Sequence, residues 1–121
     1  MFSLCIPTMD RYDDYLKNNL PKYIENELID EIIISDENGN DINKIKEFIG
    51  EHDKFKFNIN KIRQGPFMNK ITACKMAKNN WIALIDSDNF ADYDYFFKMS
   101  NFIKSNELSG NTILSPDYAN E

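Results

Sequence analysis

Two aspartates at the end of an apolar run are the residues of this sequence best suited to chemistry. They are Asp86 and Asp88 in the segment WIALIDSDNF, residues 81–90, where the apolar residues stop and the acidic ones begin. If residues 81–85 form a buried strand, that strand holds both side chains in place at its end. Residues i and i+2 of an extended chain point to the same side, so both carboxylates can face one cation directly or through water. Hard oxygen ligands of this kind suit Mg²⁺ or Mn²⁺.

The same segment has a simpler interpretation. Asp, Ser and Asn are common turn and capping residues, so residues 86–89 could be a polar turn that caps a helix beginning near Asp92. A D-x-D tripeptide is frequent by chance, and taken alone it favours that turn. Its predicted position favours the cation site, because ligands of open parallel sheets bind beyond the carboxyl ends of the strands.

Strand and helix signals alternate along the chain and must position these residues. Short apolar runs predict strands, and apolar residues at helical spacing predict helices. A polar and apolar alternation in the third strand is typical of a half-exposed strand near a sheet edge. The order predicts an α/β fold, with a mostly parallel sheet and helices on both faces. The predicted strands cover residues 2–7, 31–35, 54–60, 81–85 and 111–115, and the predicted helices cover about 12–28, 42–52, 66–79 and 92–106.

Single residues predict two details of these helices. Pro21 is expected to kink or break the first helix, because proline lacks an N–H and clashes with the preceding turn. Asp41 is placed to cap the second helix.

Two further polar segments follow predicted strands. They are PTMDR at residues 7–11 and DENGND at residues 36–41. Because the carboxyl ends of parallel strands share one edge of a sheet, these segments and residues 86–89 are expected to line one crevice.

Composition limits the class of protein. The 121 residues are 42% hydrophobic and 13% aromatic, which predicts one globular domain, and the formal net charge of −6 speaks against a surface that binds nucleic acid or anionic membranes. The sequence has no signal-peptide pattern and no apolar run of about 20 residues, so a soluble intracellular protein is expected. Cys5 and Cys74 lack metal-ligand spacing and are interpreted as small buried hydrophobic residues in a reducing compartment.

Three segments of the chain resemble family 2 glycosyltransferases of the GT-A fold. FSLCIPTMDR is similar to the family's opening strand, EIIISDENGND to its second strand and acidic turn, and NKITACKMAKNNWIALIDSDN to its helix, strand and D-x-D. The resemblance covers almost the whole chain in the right order. It implies a Rossmann-like sheet that forms the donor-binding half of a GT-A enzyme.

The chain departs from the family pattern at three places. Glu37 replaces the second aspartate of the acidic turn, Met9-Asp10 replaces the residues that usually follow Pro-Thr, and Lys70 stands where the family usually has arginine.

The resemblance also implies roles for individual residues. Pro7 and Thr8 would lie against the base and ribose of a nucleotide sugar, with a UDP-sugar favoured, and Arg11 could reach the donor. Asp36 and Glu37 would recognise the base. A carboxylate that accepts from a ring N–H discriminates well between bases, because a base without that donor leaves the carboxylate unpaired. Asp36 and Glu37 could also be turn residues only.

In the same family the D-x-D holds a divalent cation on the donor diphosphate. Asp86 and Asp88 would therefore hold Mn²⁺ or Mg²⁺, with Asp88 as the closer ligand and Asp86 also contacting the ribose. The cation neutralises the charge that grows on the leaving diphosphate. Lys70, and Arg63 just before the helix, could add cationic contacts to the donor. For Arg63 a solvated surface role is equally compatible.

The resemblance leaves transfer itself incomplete. The acceptor-binding part and the general base of an inverting enzyme are expected outside residues 1–121. The resemblance therefore does not predict that the chain is active by itself. Two other functions are considered. One is a noncatalytic nucleotide-binding module. The other is a Mg²⁺-dependent phosphatase or phosphotransferase, which would carry its D-x-D on the first strand.

Overall fold

The fold is an open sheet of parallel strands with helices on both faces. The computed structural model describes residues 1–106. Within them the strands are β1 (Phe2–Thr8), β2 (Ile29–Asp36), β3 (Phe55–Ile59) and β4 (Ile82–Leu84), in the order β3-β2-β1-β4. Every pair of neighbours is parallel, which confirms the predicted fold class. The strand predicted at residues 111–115 lies outside the described residues.

The central strands are apolar on both faces because both faces are covered. Every residue of β1 is buried, and β2 is buried from Glu31 to Asp36. Leu4 pairs with Ile32 and Ile6 with Ile34, so the same side of each strand faces the same layer of helices. Continuous β-branched and apolar runs are typical of such strands. The edge position predicted for the third strand agrees with the sheet of residues 1–106, in which β3 borders only β2.

Most helices cover one face of the sheet. A wide, π-type turn (Tyr12–Leu16) leads into α1 (Lys17–Glu25), α2 (Asn40–Lys44) leads into a second wide turn (Ile45–Ile49), and α4 is Tyr93–Asn106. Their apolar side chains form the main core with the strands, and each buried side chain of this size contributes about 1.5–3 kcal/mol. The core side chains are Leu4, Ile6, Tyr12, Leu16, Leu20, Tyr23, Ile32, Ile34, Ile42, Ile45 and Phe96, with others.

In the described part of the chain, a single helix covers the other face. It is α3 (Pro66–Lys75), whose Ala73 packs on Cys5 and Ile33. Ala73 is fully buried, and its small side chain allows the helix to approach the sheet closely. Pro66 occupies the first turn of α3, where a missing N–H costs nothing.

Three local expectations differ from the structure. Pro21 does not break the first helix, because α1 continues through it to Glu25. The irregular hydrogen bonding that a proline imposes is found in the wide turn directly before α1. The third helix ends at Lys75, several residues earlier than predicted. β4 is shorter than predicted and only half-buried. Leu84 pairs with Cys5, so Ile82 and Leu84 lie on the same face of the sheet as α3, and that helix does not cover them.

The order of the strands creates a crevice. The chain runs outward from β1 through β2 to β3 and then returns to the opposite side of β1, where β4 lies. Ligands of open α/β sheets bind at such a reversal, beyond the carboxyl ends of the strands. The reversal here lies between β1 and β4. Among residues 1–106, no helix combines the length and the apolar character needed to cross a bilayer.

Candidate functional site

A cleft of about 310 Å³ lies at this reversal. Its walls come from the ends of β1, β2 and β4, the loop before α3, and the first turns of α3. Most of the residues expected to form a site meet there, namely Pro7, Thr8, Arg11, Glu37, Lys70, Asp86 and Asp88, together with Arg63. The three polar segments that follow predicted strands therefore converge.

Asp41 shapes the loop after β1. Its carboxylate accepts a hydrogen bond from the Thr8 hydroxyl at 2.6 Å and from the backbone N–H groups of Arg11 and Tyr12 at 3.0 Å. α2 begins after Gly39 without a side-chain cap, so the expectation that Asp41 caps this helix is wrong. Asp41 instead connects the start of α2 to the rim of the cleft.

Asp36 lies beneath the cleft rather than in it. Its side chain is fully buried, and its carboxylate accepts from the N–H of Ile42 at 3.0 Å and of Asn38 at 3.3 Å. Burial raises the pKa of Asp36 despite these two donors. The contact of Asp36 with a base stays a prediction, and in the structure this carboxylate holds the start of α2.

Glu37 lines the cleft, yet its carboxylate is also held by the protein. Oε1 accepts from Asn60 Nδ2 at 2.8 Å and from the N–H of Gln64 at 2.9 Å, and Oε2 accepts from the N–H of Gly65 at 2.7 Å. Burial by itself raises the pKa of Glu37, but these hydrogen bonds outweigh it and hold the pKa below the ordinary range.

Lys70 and Asp86 face each other across the cleft. Lys70 Nζ lies 3.5 Å from Asp86 Oδ1, and both side chains are partly exposed. An exposed pair of this kind stabilises the fold little, so an anionic ligand can displace it at low cost. Arg11 and Arg63 line the same cleft and are exposed. The cleft thus offers several cationic groups in a protein whose net charge is −6.

The turn after β4 brings both aspartates to the cleft. Asn89 N–H donates to the carbonyl oxygen of Asp86 at 3.0 Å, which closes a turn around Asp88. Because β4 ends at Leu84, the argument from alternating strand geometry does not apply to these side chains. The turn nevertheless places both of them in the cleft wall.

This turn does not cap the following helix. Tyr95 N–H at the start of α4 donates to the carboxylate of Asp92 at 2.9 Å, so Asp92 is the capping residue. The simpler interpretation of residues 86–89 as a helix cap therefore fails, although they do form a turn.

The described residues supply two carboxylates at most for a cation here. No group of three or more His, Cys, Asp or Glu side chains within residues 1–106 is arranged to hold a metal ion. Two carboxylates still fit Mg²⁺ or Mn²⁺ in one familiar arrangement, in which substrate phosphates and water complete the coordination. The residues for such a shared site would be Asp86 and Asp88.

Sequence reasoning missed a buried polar group behind the cleft. Asn69 is only 2% exposed, and its side chain accepts from the Ser35 hydroxyl at 2.7 Å and from Asn60 Nδ2 at 2.9 Å. The available signal was an asparagine on the side of α3 that faces the sheet with Ala73, and buried polar groups of this kind require partners.

Comparisons with known proteins identify a family and similar solved structures. The model of "Glycosyl transferase family 2" matches residues 3–118, whereas no curated protein matches the chain. Residues 1–349 of S. aureus TarS in complex with UDP are similar, with a TM-score of 0.72 and 17% identity over 88% of this chain. TarS 1–349 in another structure gives 0.73 and 18%, and a structure of TarS gives 0.71 and 17%, each over 88% of this chain. The chain spans only 32%, 33% and 20% of those three chains, respectively.

Proposed function

Because the chain belongs to glycosyl transferase family 2, we propose that its cleft binds the nucleotide of a nucleotide-diphosphate sugar for glycosyl transfer to an acceptor. The observation that carries this proposal is the meeting of cationic and acidic side chains at the reversal of strand order. This is the position at which open α/β folds bind nucleotides.

The two ends of the cleft suit the two parts of such a ligand. Pro7 and Thr8 form the wall at the end of β1, where a nucleoside can lie against them. Arg11, Arg63 and Lys70 supply charge for the diphosphate, and arginine in particular matches the geometry of phosphate oxygens. A ligand that binds Lys70 would replace its exposed contact with Asp86.

Asp86 and Asp88 would hold Mn²⁺ or Mg²⁺ together with the diphosphate. When bound, the cation supplies Lewis-acid neutralisation of the negative charge that develops on the leaving diphosphate. The protein's own part is to fix the turn that carries the carboxylates and to align the diphosphate with its cationic side chains.

UDP is the nucleotide we favour, because TarS, whose fold this chain shares, is described in complex with UDP. We also propose that the transfer is inverting and that its general base lies outside the residues of this chain. The chain covers a third or less of the TarS chains, so for residues 1–121 the proposal extends to donor binding only.

The test is isothermal titration with UDP, CDP and GDP, each with and without Mn²⁺, on the wild type and on Asp88→Ala. We expect Mn²⁺-dependent binding of UDP that weakens by roughly tenfold or more in Asp88→Ala, because one of two carboxylate ligands is removed. Asp53→Ala, an exposed aspartate outside the cleft, is the matched control and should bind as the wild type does.

Three outcomes would decide against parts of the proposal. Binding that needs no metal and survives Asp88→Ala would remove the cation site. Binding without transfer by a preparation that includes the acceptor-binding part would favour the noncatalytic nucleotide-binding module. Release of phosphate from a simple phosphate ester would favour the phosphatase.

A further inference from the structure

Glu37 is bound to a loop of the protein through both of its carboxylate oxygens. The loop is residues 60–65, which connects β3 to α3 and is referred to as the 60–65 loop. Glu37 accepts from the side chain of Asn60 at its start and from the backbone N–H groups of Gln64 and Gly65 at its end, at 2.7–2.9 Å. A carboxylate has about four acceptor positions, so these donors occupy most of them.

The loop has few other attachments in the described part of the chain. Arg63 and the other residues between Asn60 and Gly65 are exposed. The Thr72 hydroxyl donates to the Gln64 side chain at 2.7 Å, and Asn60 N–H donates to the carbonyl oxygen of Asp36 at 2.9 Å. Gly65 has a φ of 87°, a conformation that glycine adopts readily, and α3 begins directly after it.

A polar network supports Glu37 from behind. Asn60 Nδ2 donates to both Glu37 and Asn69, and Asn69 Nδ2 donates to the carbonyl oxygen of Ser35 at 2.9 Å. No buried side-chain nitrogen or oxygen among residues 1–106 lacks a partner. A fully satisfied buried network of this kind is rigid, and it fixes the carboxylate against the end of β2.

We propose that Glu37 is a positioning residue, which holds the 60–65 loop so that Arg63 faces the diphosphate, and that recognition of the base falls to other groups. The ligand in this inference rests on the proposed function. Freeing the carboxylate to read a base would leave two backbone N–H groups and an asparagine amide without their acceptor, which costs more than one new hydrogen bond returns.

Glu37→Gln separates the two roles. The amide has the same shape, but its NH₂ group cannot accept, so at least one of the loop donors loses its partner whichever way the amide lies. If Glu37 read the base, the same amide could donate to N3 of cytosine, and the affinity for CDP would rise relative to that for UDP. If Glu37 holds the loop, the affinities for UDP and CDP fall together.

The experiment combines hydrogen exchange of the ligand-free protein with titration of UDP and CDP. In Glu37→Gln we expect faster exchange at the Gln64 and Gly65 amides and about tenfold weaker binding of both nucleotides, with their ratio unchanged within about twofold. Glu51→Gln, an exposed glutamate outside the cleft, should change neither quantity.

A double-mutant cycle with Arg63→Ala tests whether Glu37 acts through Arg63. In that background Glu37→Gln should cost less than about threefold in affinity, because the group that the loop presents is already gone. An unchanged tenfold cost would overturn the assignment to Arg63. Should Glu37→Gln fail to fold, Glu37→Asp retains the charge on a shorter side chain and is expected to show the same faster exchange.

Hydrogen exchange and titration together also distinguish failure of this inference from failure of the proposed function. Unchanged exchange together with a shift of the ratio towards CDP would overturn the positioning role and make Glu37 the base reader. If neither nucleotide binds the wild type, the proposed function fails, while hydrogen exchange still decides whether Glu37 holds the loop.

Discussion

Buried carboxylates organise the region around the cleft. Asp36, Glu37 and Asp41 are all buried, and each accepts from backbone N–H groups of a different segment. A buried carboxylate is costly unless it is hydrogen-bonded, so each one fixes the geometry of the segment whose donors it needs. Asp88 is exposed and Asp86 is partly exposed beside Lys70, so a ligand can reach both carboxylates.

The two cysteines form a thiol pair rather than separate apolar contacts. Cys5 is fully buried in β1, and Cys74 packs beside it from α3. Donation from the Cys5 thiol to the Cys74 sulfur, together with burial, raises the pKa of Cys5, and the same hydrogen bond lowers the pKa of Cys74 to about 7. Cys74, which is also the more exposed of the two, should therefore be the reactive thiol.

Alkylation tests this expectation. Iodoacetamide at pH 7 should modify Cys74 roughly tenfold or more faster than Cys5 in the native protein, and the rate at Cys74 should rise as the pH increases through about 7. Peptide mass spectrometry gives both rates. Cys5→Ser is the informative variant, since an unchanged rate at Cys74 in that variant would show that the thiol pair does not lower its pKa.

At the residue scale, the sequence predicted positions better than roles. Asp86 and Asp88 were recognised because they follow a predicted strand, and Lys70 because the resemblance places it where the family usually has arginine. The burial of Asp36 was not, because its acceptor role depends on the N–H of Ile42, six residues later. Asn69 was missed because its partners are Ser35 on β2 and Asn60 directly after β3, which only the folded chain brings together.

At the element scale, Asp41 connects α2 to the loop after β1. Asp41→Ala should lower the free energy of unfolding by about 2 kcal/mol, because the Thr8 hydroxyl and the N–H groups of Arg11 and Tyr12 lose their acceptor. Chemical denaturation measures the change. Asp13→Ala removes only the exposed pair with Lys44 and should leave the denaturation midpoint unchanged. Equal effects of the two variants would contradict a special role for Asp41.

The order and kind of elements followed from the sequence, whereas their limits did not. Continuous apolar runs identify β1 and β2 because both faces of these strands are covered. β4 has the same apolar pattern but lies beside only β1 in the described sheet, so the pattern overstated its length and burial. The early end of α3 has no sequence signal, since good helix formers continue past Lys75.

At the scale of the whole molecule, the two ends of the sheet differ in what their polar groups do. The cleft lies at the carboxyl ends of the strands, whereas Glu31 lies near the opposite end. Glu31 accepts from the Ser3 hydroxyl and from Lys78 N–H, each at 2.6 Å, and lies 3.2 Å from Lys56 Nζ. It therefore connects β1, β2, β3 and the segment after α3 without taking part in the cleft.

Glu31 should make the stability of the whole fold depend on pH. Burial by itself raises the pKa of Glu31, but the donors from Lys78, Ser3 and Lys56 outweigh it and lower the pKa below its ordinary value of 4.5. A carboxylate whose pKa is lowered by folding stabilises the protein above its unfolded pKa, and this contribution is lost as the pH falls through the folded pKa.

Glu31→Gln should accordingly lower the free energy of unfolding by about 2 kcal/mol at pH 7, and the difference from wild type should narrow as the pH is lowered from 4.5. Urea denaturation across this range gives both curves. Glu51→Gln, an exposed glutamate, should follow the wild type throughout. A difference that stays constant on acidification would mean that Glu31 stabilises the sheet by shape and packing rather than by its charge.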